Sequence, residues 1–162
     1  MRLALLFLSA INASWAANPD AYAPLKLYAG TWHIAAKNQA AGKLELLKND
    51  CAQLGNFYAC QQTVDGAPQN LIVFVPANQP GHYYTQAIRQ DGRATGRSDL
   101  VITGDRWIYT NTWDEGGRTT YYRTINLFTG KNHIHFEQQE SPDGKDWKTT
   151  NSGDEDRAGP RG

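Results

Sequence analysis

Residues 104–147 read GDRWIYTNTWDEGGRTTYYRTINLFTGKNHIHFEQQESPDGKDW, and this stretch decides the fold. It breaks at Gly104-Asp105, Glu115-Gly116-Gly117, Thr129-Gly130 and Asp143-Gly144. Tight reversals need positive φ, which Gly, Asn and Asp supply at least cost. Between the breaks lie runs rich in Trp, Tyr, Ile, Thr and Phe, side chains that suit a pleated, half-buried surface.

The same rhythm extends upstream. From Gly66 onward, reversal signals recur near residues 66, 80, 91, 104, 116, 130 and 143. Regular spacing of about a dozen residues belongs to a sandwich or barrel of short strands. Further strand candidates are Thr31–Lys37, Lys43–Lys48, Phe57–Val64, Leu71–Val75, Tyr83–Arg89 and a run ending at Ile102. No helical period is sustained between them; Pro24 with Leu25–Tyr28 predicts one helical turn before the first strand. About ten sequential strands predict an all-β, up-and-down antiparallel barrel, because closure removes exposed edges.

The ends read differently. Met1-Arg2, the apolar run Leu3–Ile11 and the small residues of Ser14-Trp15-Ala16 have the pattern of a secretory signal peptide cleaved after Ala16. The expected organisation is 1–16 leader, 17–153 barrel and 154–162 a polar, fraying tail. The chain carries 16 basic and 16 acidic residues, and losing Arg2 with the leader leaves 15 against 16. That balance gives no support for a nucleic-acid groove, and no later segment is long and apolar enough for a membrane span. Localisation is expected to be secreted or periplasmic.

Export places Cys51 and Cys60 in an oxidising compartment. They flank Leu54-Gly55-Asn56, which has the composition of a hairpin turn, so a bridge across that turn is expected. No His or third Cys lies near them in sequence to suggest a metal or catalytic thiol.

Turn lengths set register, and register sets faces. A two-residue loop at Thr129-Gly130 pairs Ile125 with Ile134 and Arg123 with Phe136. A three-residue loop at Glu115-Gly116-Gly117 pairs Asn111 with Tyr121 and Tyr109 with Arg123. A two-residue loop at Gly104-Asp105 pairs Ile102 with Trp107, and Asp143-Gly144 pairs Glu140 with Trp147. The inner face so predicted holds Tyr109, Asn111, Trp113, Tyr121, Arg123 and Phe136 among its members. An Arg there suits a barrel wide enough for a ligand or water rather than a filled core.

Leu27-Tyr28-Ala29-Gly30-Thr31-Trp32-His33-Ile34 resembles the opening of a lipocalin-type calycin barrel, where a Gly-x-Trp begins the first strand. The resemblance implies that Trp32 plugs the closed end. The segment from Asp50-Cys51 to Cys60, Trp113–Gly117, Tyr121-Tyr122-Arg123 and Glu140–Trp147 resemble bacterial secreted lipocalin-like proteins of unknown function. About ten strands and no C-terminal helix are nearer the fatty-acid-binding type of calycin. Tyr121 and Arg123 resemble the Arg/Tyr clamp those proteins place on a carboxylate. The alternative for Arg123 is a structural cation–π plug on a Trp or Tyr face.

His133-Ile134-His135-Phe136-Glu137 places two imidazoles and a carboxylate on one strand face, a set that can hold Zn²⁺ or Fe²⁺. The register turns that face outward, so a solvated surface is the expectation and no metal or cofactor is assigned. Neighbouring carboxylates at Asp114-Glu115 and Asp154-Glu155-Asp156 fall in a turn and the tail and are read as solvated.

The expected function is non-catalytic binding of a small, largely apolar ligand with an acidic head, at Tyr109, Asn111, Trp113, Tyr121, Arg123 and Phe136. The alternatives are a metal-dependent enzyme built on His133, His135 and Glu137, and an envelope interaction module with a filled barrel.

Overall fold

Positive-φ residues at the reversals, with β-branched and aromatic runs between them, dictate a meander. The computed structural model, which describes residues 19–38 and 43–159, closes it into one antiparallel barrel. Its ten strands are β1 Gly30–Asn38, β2 Lys43–Leu54, β3 Phe57–Val64, β4 Ala67–Pro76 and β5 His82–Arg89, then β6 Ser98–Thr103, β7 Arg106–Glu115, β8 Arg118–Thr129, β9 His133–Ser141 and β10 Lys148–Arg157. Each pairs with its neighbours in sequence, and β1 pairs with β10 to complete the ring. The expected up-and-down barrel is the observed one. The leader segment 1–16 lies outside the described residues.

Two strands run further than the sequence suggested. β2 continues through Cys51 to Leu54 and sets Cys51 opposite Cys60 on β3, where the two form a disulfide. β10 continues to Arg157, so residues 154–157 belong to the barrel and not to a fraying tail. Charge pairing is the reason: Asp154 and Asp156 lie opposite His135 and His133 of β9.

A 3-10 helix, Pro19–Tyr28, precedes β1 and closes one end of the barrel. Tyrosine hydroxyls from the wall fasten it. Tyr58 donates to the Leu25 carbonyl at 2.8 Å and Tyr83 to the Ala21 carbonyl at 2.7 Å. Trp32 is fully buried beneath it, and its indole N–H donates to the Tyr28 carbonyl at 2.9 Å. The Arg157 guanidinium sits 4.3 Å over the Trp32 ring and donates to the carbonyls of Leu27, Ala29 and Lys131. Trp107, Leu100, Phe128 and Ile134 complete this apolar floor.

Register decides which side chains stand above the floor. The β6–β7 pairing is the expected one, with Ile102 opposite Trp107 and Leu100 opposite Tyr109. The next two hairpins differ, and at the last turn Glu140 lies opposite Lys148 rather than Trp147. Gly116 and Gly117 both take positive φ, 57° and 76°, which makes a two-residue turn with Glu115 opposite Arg118. Tyr109 therefore faces Thr124, and Asn111 faces Tyr122. The β8–β9 loop is longer than two residues: Thr129 lies opposite His133, leaving Gly130, Lys131 and Asn132 to turn the chain. Arg157 fixes this loop by bonding the carbonyls of Lys131 and Asn132.

Each of the two hairpin differences moves the register by an odd number of residues and flips β8 about its axis. Phe128, Asn126 and Thr124 point inward; Leu127, Ile125 and Arg123 point outward. The two flips cancel at β9, so Ile134 and Phe136 face the interior as expected.

β7 and β8 also outrun their neighbours. β6 pairs with β7 no further than Thr110, and β9 pairs with β8 no further than Tyr121. Residues 111–120 thus form a two-stranded arm at the end opposite the helix.

Candidate functional site

Between the apolar floor and the mouth lies a cavity of about 400 Å³. Inward positions of successive strands build it, and their chemistry is mixed. Ile34, Leu47, Ile72 and Phe136 supply apolar wall; Asn49, Gln62, Asn126, Gln138 and Asn151 supply amides. Glu155 on β10 brings a carboxyl to the same space while being 5% exposed. No Lys, Arg or His lines the cavity among the described residues.

Glu155 begins a hydrogen-bonded chain. The Tyr28 hydroxyl donates to its Oε2 at 2.8 Å, and Asn49 Nδ2 donates to the Tyr28 oxygen at 2.8 Å. Gln62 Nε2 donates to Asn49 Oδ1 at 3.3 Å, and Asn70 Nδ2 donates to Gln62 Oε1 at 2.9 Å. The last helical residue is thereby tied to β10, β2, β3 and β4. Burial pushes the Glu155 carboxyl up to about 7, against the Tyr28 hydrogen bond, which acts to lower it. The Tyr28 and Tyr109 hydroxyls are raised, first by burial and then by the nearby Glu155 carboxyl.

Other polar atoms of the interior have no partner. Asn126 Oδ1, Asn151 Oδ1 and Trp107 Nε1 are buried and unbonded. Trp107 and Asn126 are opposite one another on β7 and β8. A buried polar atom without a hydrogen bond costs about 1–3 kcal/mol. Asn151 does use its amide nitrogen, donating to Gln138 Oε1 at 3.1 Å.

The residues singled out from the sequence divide. Tyr109 and Phe136 line the cavity. Asn111 and Tyr121 instead border a groove at the base of the arm, together with Trp147 and Tyr122. Trp113 stands on the arm and is 62% exposed. Arg123 is outside the barrel: its Nε donates to Gln139 Oε1 at 2.6 Å and its guanidinium lies 4.0 Å over the Trp147 ring. The placement of Tyr121 and Arg123 on the inner face is therefore corrected by the two hairpin registers, and the cation–π packing weighed as the alternative is the arrangement present.

His133 and His135 face outward, on the same side as Asp154 and Asp156. His133 Nδ1 is 2.8 Å from Asp156 Oδ1, and His135 Nδ1 is 2.9 Å from Asp154 Oδ1. The His133 imidazole is raised, chiefly by its hydrogen bond to Asp156. Glu137 accepts from Gln139 Nε2 at 3.0 Å. No group of three or more His, Cys, Asp or Glu side chains is arranged to hold a metal among the described residues.

Glu155 and the amides are the site residues that sequence reading passed over. Two signals for them exist. Asn151-x-Gly153-x-Glu155 alternates with Ser152, Asp154 and Asp156, a strand pattern that runs on into the segment taken for a tail. His133-x-His135 and Asp154-x-Asp156 are complementary charges at matched spacing, the signature of an antiparallel pair.

The class defined by these features is a closed ten-strand antiparallel barrel with a helical plug and a polar internal cavity. A protein of similar architecture is known from a crystal structure, Rv2717c from M. tuberculosis. The two superpose with a TM-score of 0.55 at 14% sequence identity, over 86% of this chain and 98% of that one. At that identity the likeness is one of fold. No family model matches the sequence, and no curated protein matches it either.

Proposed function

We propose that the protein is an exported, non-catalytic binder of a small molecule, built on a calycin-type barrel, with the cavity above Trp32 and Trp107 as its site. The observation that carries this reading is the cavity itself. Its volume of about 400 Å³ falls in the range of small-ligand pockets, and its wall carries the amide side chains of Asn49, Gln62, Asn126, Gln138 and Asn151. A filled barrel gains nothing from such groups. A ligand that bonds them recovers part of their desolvation cost while apolar groups bury its body.

The acidic head group expected from Arg123 does not enter this proposal. That guanidinium lies on the outer wall, and an anion in the cavity would meet the Glu155 carboxyl instead. Export fits the Cys51–Cys60 disulfide, which persists in oxidising compartments.

Native mass spectrometry of protein taken from its own cell tests the reading. The expected result is a bound non-peptide mass that disappears in Thr124→Trp, whose indole fills the cavity. A wild-type spectrum identical to that of the filled variant would set the reading aside.

A further inference from the structure

We infer that the ligand presents a protonated nitrogen to the cavity, an organic ammonium or amidinium whose charge pairs with the Glu155 carboxylate. This rests on the reading of the cavity as a binding site and names the class of molecule it takes.

The geometry supports it in three ways. First, Glu155 is the one carboxyl among the described lining residues, and no Lys, Arg or His accompanies it there. The titratable groups that face it are the tyrosines Tyr28, from the helix, and Tyr109, from β7. Its strand neighbours at that level are Ile34 on β1 and Ile134 on β9, both apolar. Asp154 and Asp156 alternate to the opposite face, where His135 and His133 take them. Among the described residues a carboxyl so enclosed has no cation to pair with, so an ionised Glu155 awaits one from outside.

Second, two buried amide oxygens of lining residues are acceptors without a partner. Asn126 Oδ1 and Asn151 Oδ1 are of the polarity that N–H groups satisfy. Along β10 the inward positions are Asn151, Gly153 and Glu155, and Gly153 lies beside Phe136, which in turn lies beside Asn126.

Third, aromatic side chains share the cavity with the carboxyl. Tyr28, Tyr109, Phe74 and Phe136 line the same cavity, and an organic cation gains from aromatic faces as well as from the carboxylate. An anion would meet the carboxylate as repulsion, so one group both selects and rejects.

Proton linkage follows. Glu155, raised by burial, is partly protonated at neutral pH, and a bound cation favours its ionised form. Cation binding therefore expels a proton near pH 7 and weakens as pH falls.

Three probes of one shape separate the possibilities: 2-phenylethylamine, 2-phenylethanol and phenylacetate. They are titrated by calorimetry and by amide chemical shifts at Thr124, Asn126, Phe136 and Gln138. The amine is expected to bind at least about ten-fold more tightly than the alcohol at pH 8, with the acid weakest, as removal of a charge partner commonly costs. Glu155→Gln keeps the shape and hydrogen bonding, so the alcohol should bind it unchanged while the amine loses its advantage. In wild type the amine's advantage should shrink by pH 5.5. Equal or tighter binding of phenylacetate, or an amine preference that survives Glu155→Gln and low pH, overturns the inference and leaves the cavity reading standing. If none of the three binds, the inference falls, and native mass spectrometry of the natural protein still decides the cavity reading.

Discussion

The floor and the wall of this barrel are made of opposite materials. At the floor, Trp32, Trp107, Leu100 and Ile134 are fully buried, and rings of Tyr28, Trp32, Trp107 and Phe128 meet at centroid distances of 4.8–6.2 Å. Beyond it, the barrel wall presents Asn49, Asn126, Gln138 and Glu155. Burial of apolar area stabilises the first region; desolvation of amides and a carboxyl destabilises the second. A fold holds such a wall only because something else secures it, and the plug does so here. Arg157 ties the helix, β1 and the β8–β9 loop into one unit beneath the cavity. The contrast separates residues that make the barrel from residues that make the site.

The largest effect belongs to the floor. Trp32→Ala removes the centre of the ring cluster and the partner of Arg157, and should cost about 3–5 kcal/mol in unfolding free energy, the usual range for such truncations. Chemical denaturation reads it. A midpoint that does not move would erase the distinction between floor and wall.

Next is the wall, where a substitution should stabilise. Glu155 is held at about 7, above an ordinary value of 4.5, so the folded state binds its proton more tightly than the unfolded chain. Stability from this group is full below pH 4.5 and is lost as pH rises to about 7, a swing on the order of 3 kcal/mol. Glu155→Gln cannot ionise, so it should equal wild type near pH 4 and exceed it at pH 8. Urea midpoints across that range check the crossing. A variant less stable than wild type at pH 8 would show that the carboxylate is compensated and that the wall is no burden.

Below that lies the Cys51–Cys60 bridge, which joins β2 to β3 on the inward side of the floor. Reduction, or replacement of both cysteines by alanine, should cost about 2–3 kcal/mol, the chain-entropy value for so short a loop. The bridge lies close to the cavity, since Cys60 lines it. Probe binding by folded, reduced protein should nevertheless survive, because the Glu155 carboxyl lies on β10, away from the bridged strands.

Much of the floor was legible in the sequence, and most of the wall was not. Gly30-Thr31-Trp32 marks a buried Trp at a strand start, and Gly104-Asp105 gives a register with one reading, so Trp107 and Leu100 were placed correctly. Paired glycines at 116 and 117 fit a two-residue or a three-residue loop equally well by composition. The loop after Thr129 is set by Arg157, which contacts it from the adjacent strand β10, 26 residues away in sequence. No local pattern carries that contact. Both errors are odd, so β8 alone was turned inside out, exchanging Asn126 for Arg123 as the inward residue. Glu155 was missed for another reason: the polarity of Asp154-Glu155-Asp156 resembles a tail, and only the alternate pairing with β9 shows that its middle member turns inward.

The smallest expected effect sharpens the comparison by leaving both regions alone. Arg123 stands on the outer wall, against Trp147 and Gln139, with Arg106 and Glu137 in its field. Its pKa is lowered mainly by burial and then by Arg106, so the outer surface holds this charge without deep enclosure. Arg123→Met keeps the aliphatic stem over the indole and deletes the fork that bonds Gln139. A half-exposed cation–π contact and one hydrogen bond together are worth about 1 kcal/mol or less. Denaturation midpoints should shift only slightly, Trp147 emission should change as the cation leaves its face, and binding of 2-phenylethylamine should stay within about two-fold, below what 1.4 kcal/mol would produce. A ten-fold change in that affinity, of either sign, would mean that the outer residue senses the cavity after all. The floor-and-wall division would then have to include the β8 exterior as part of the site.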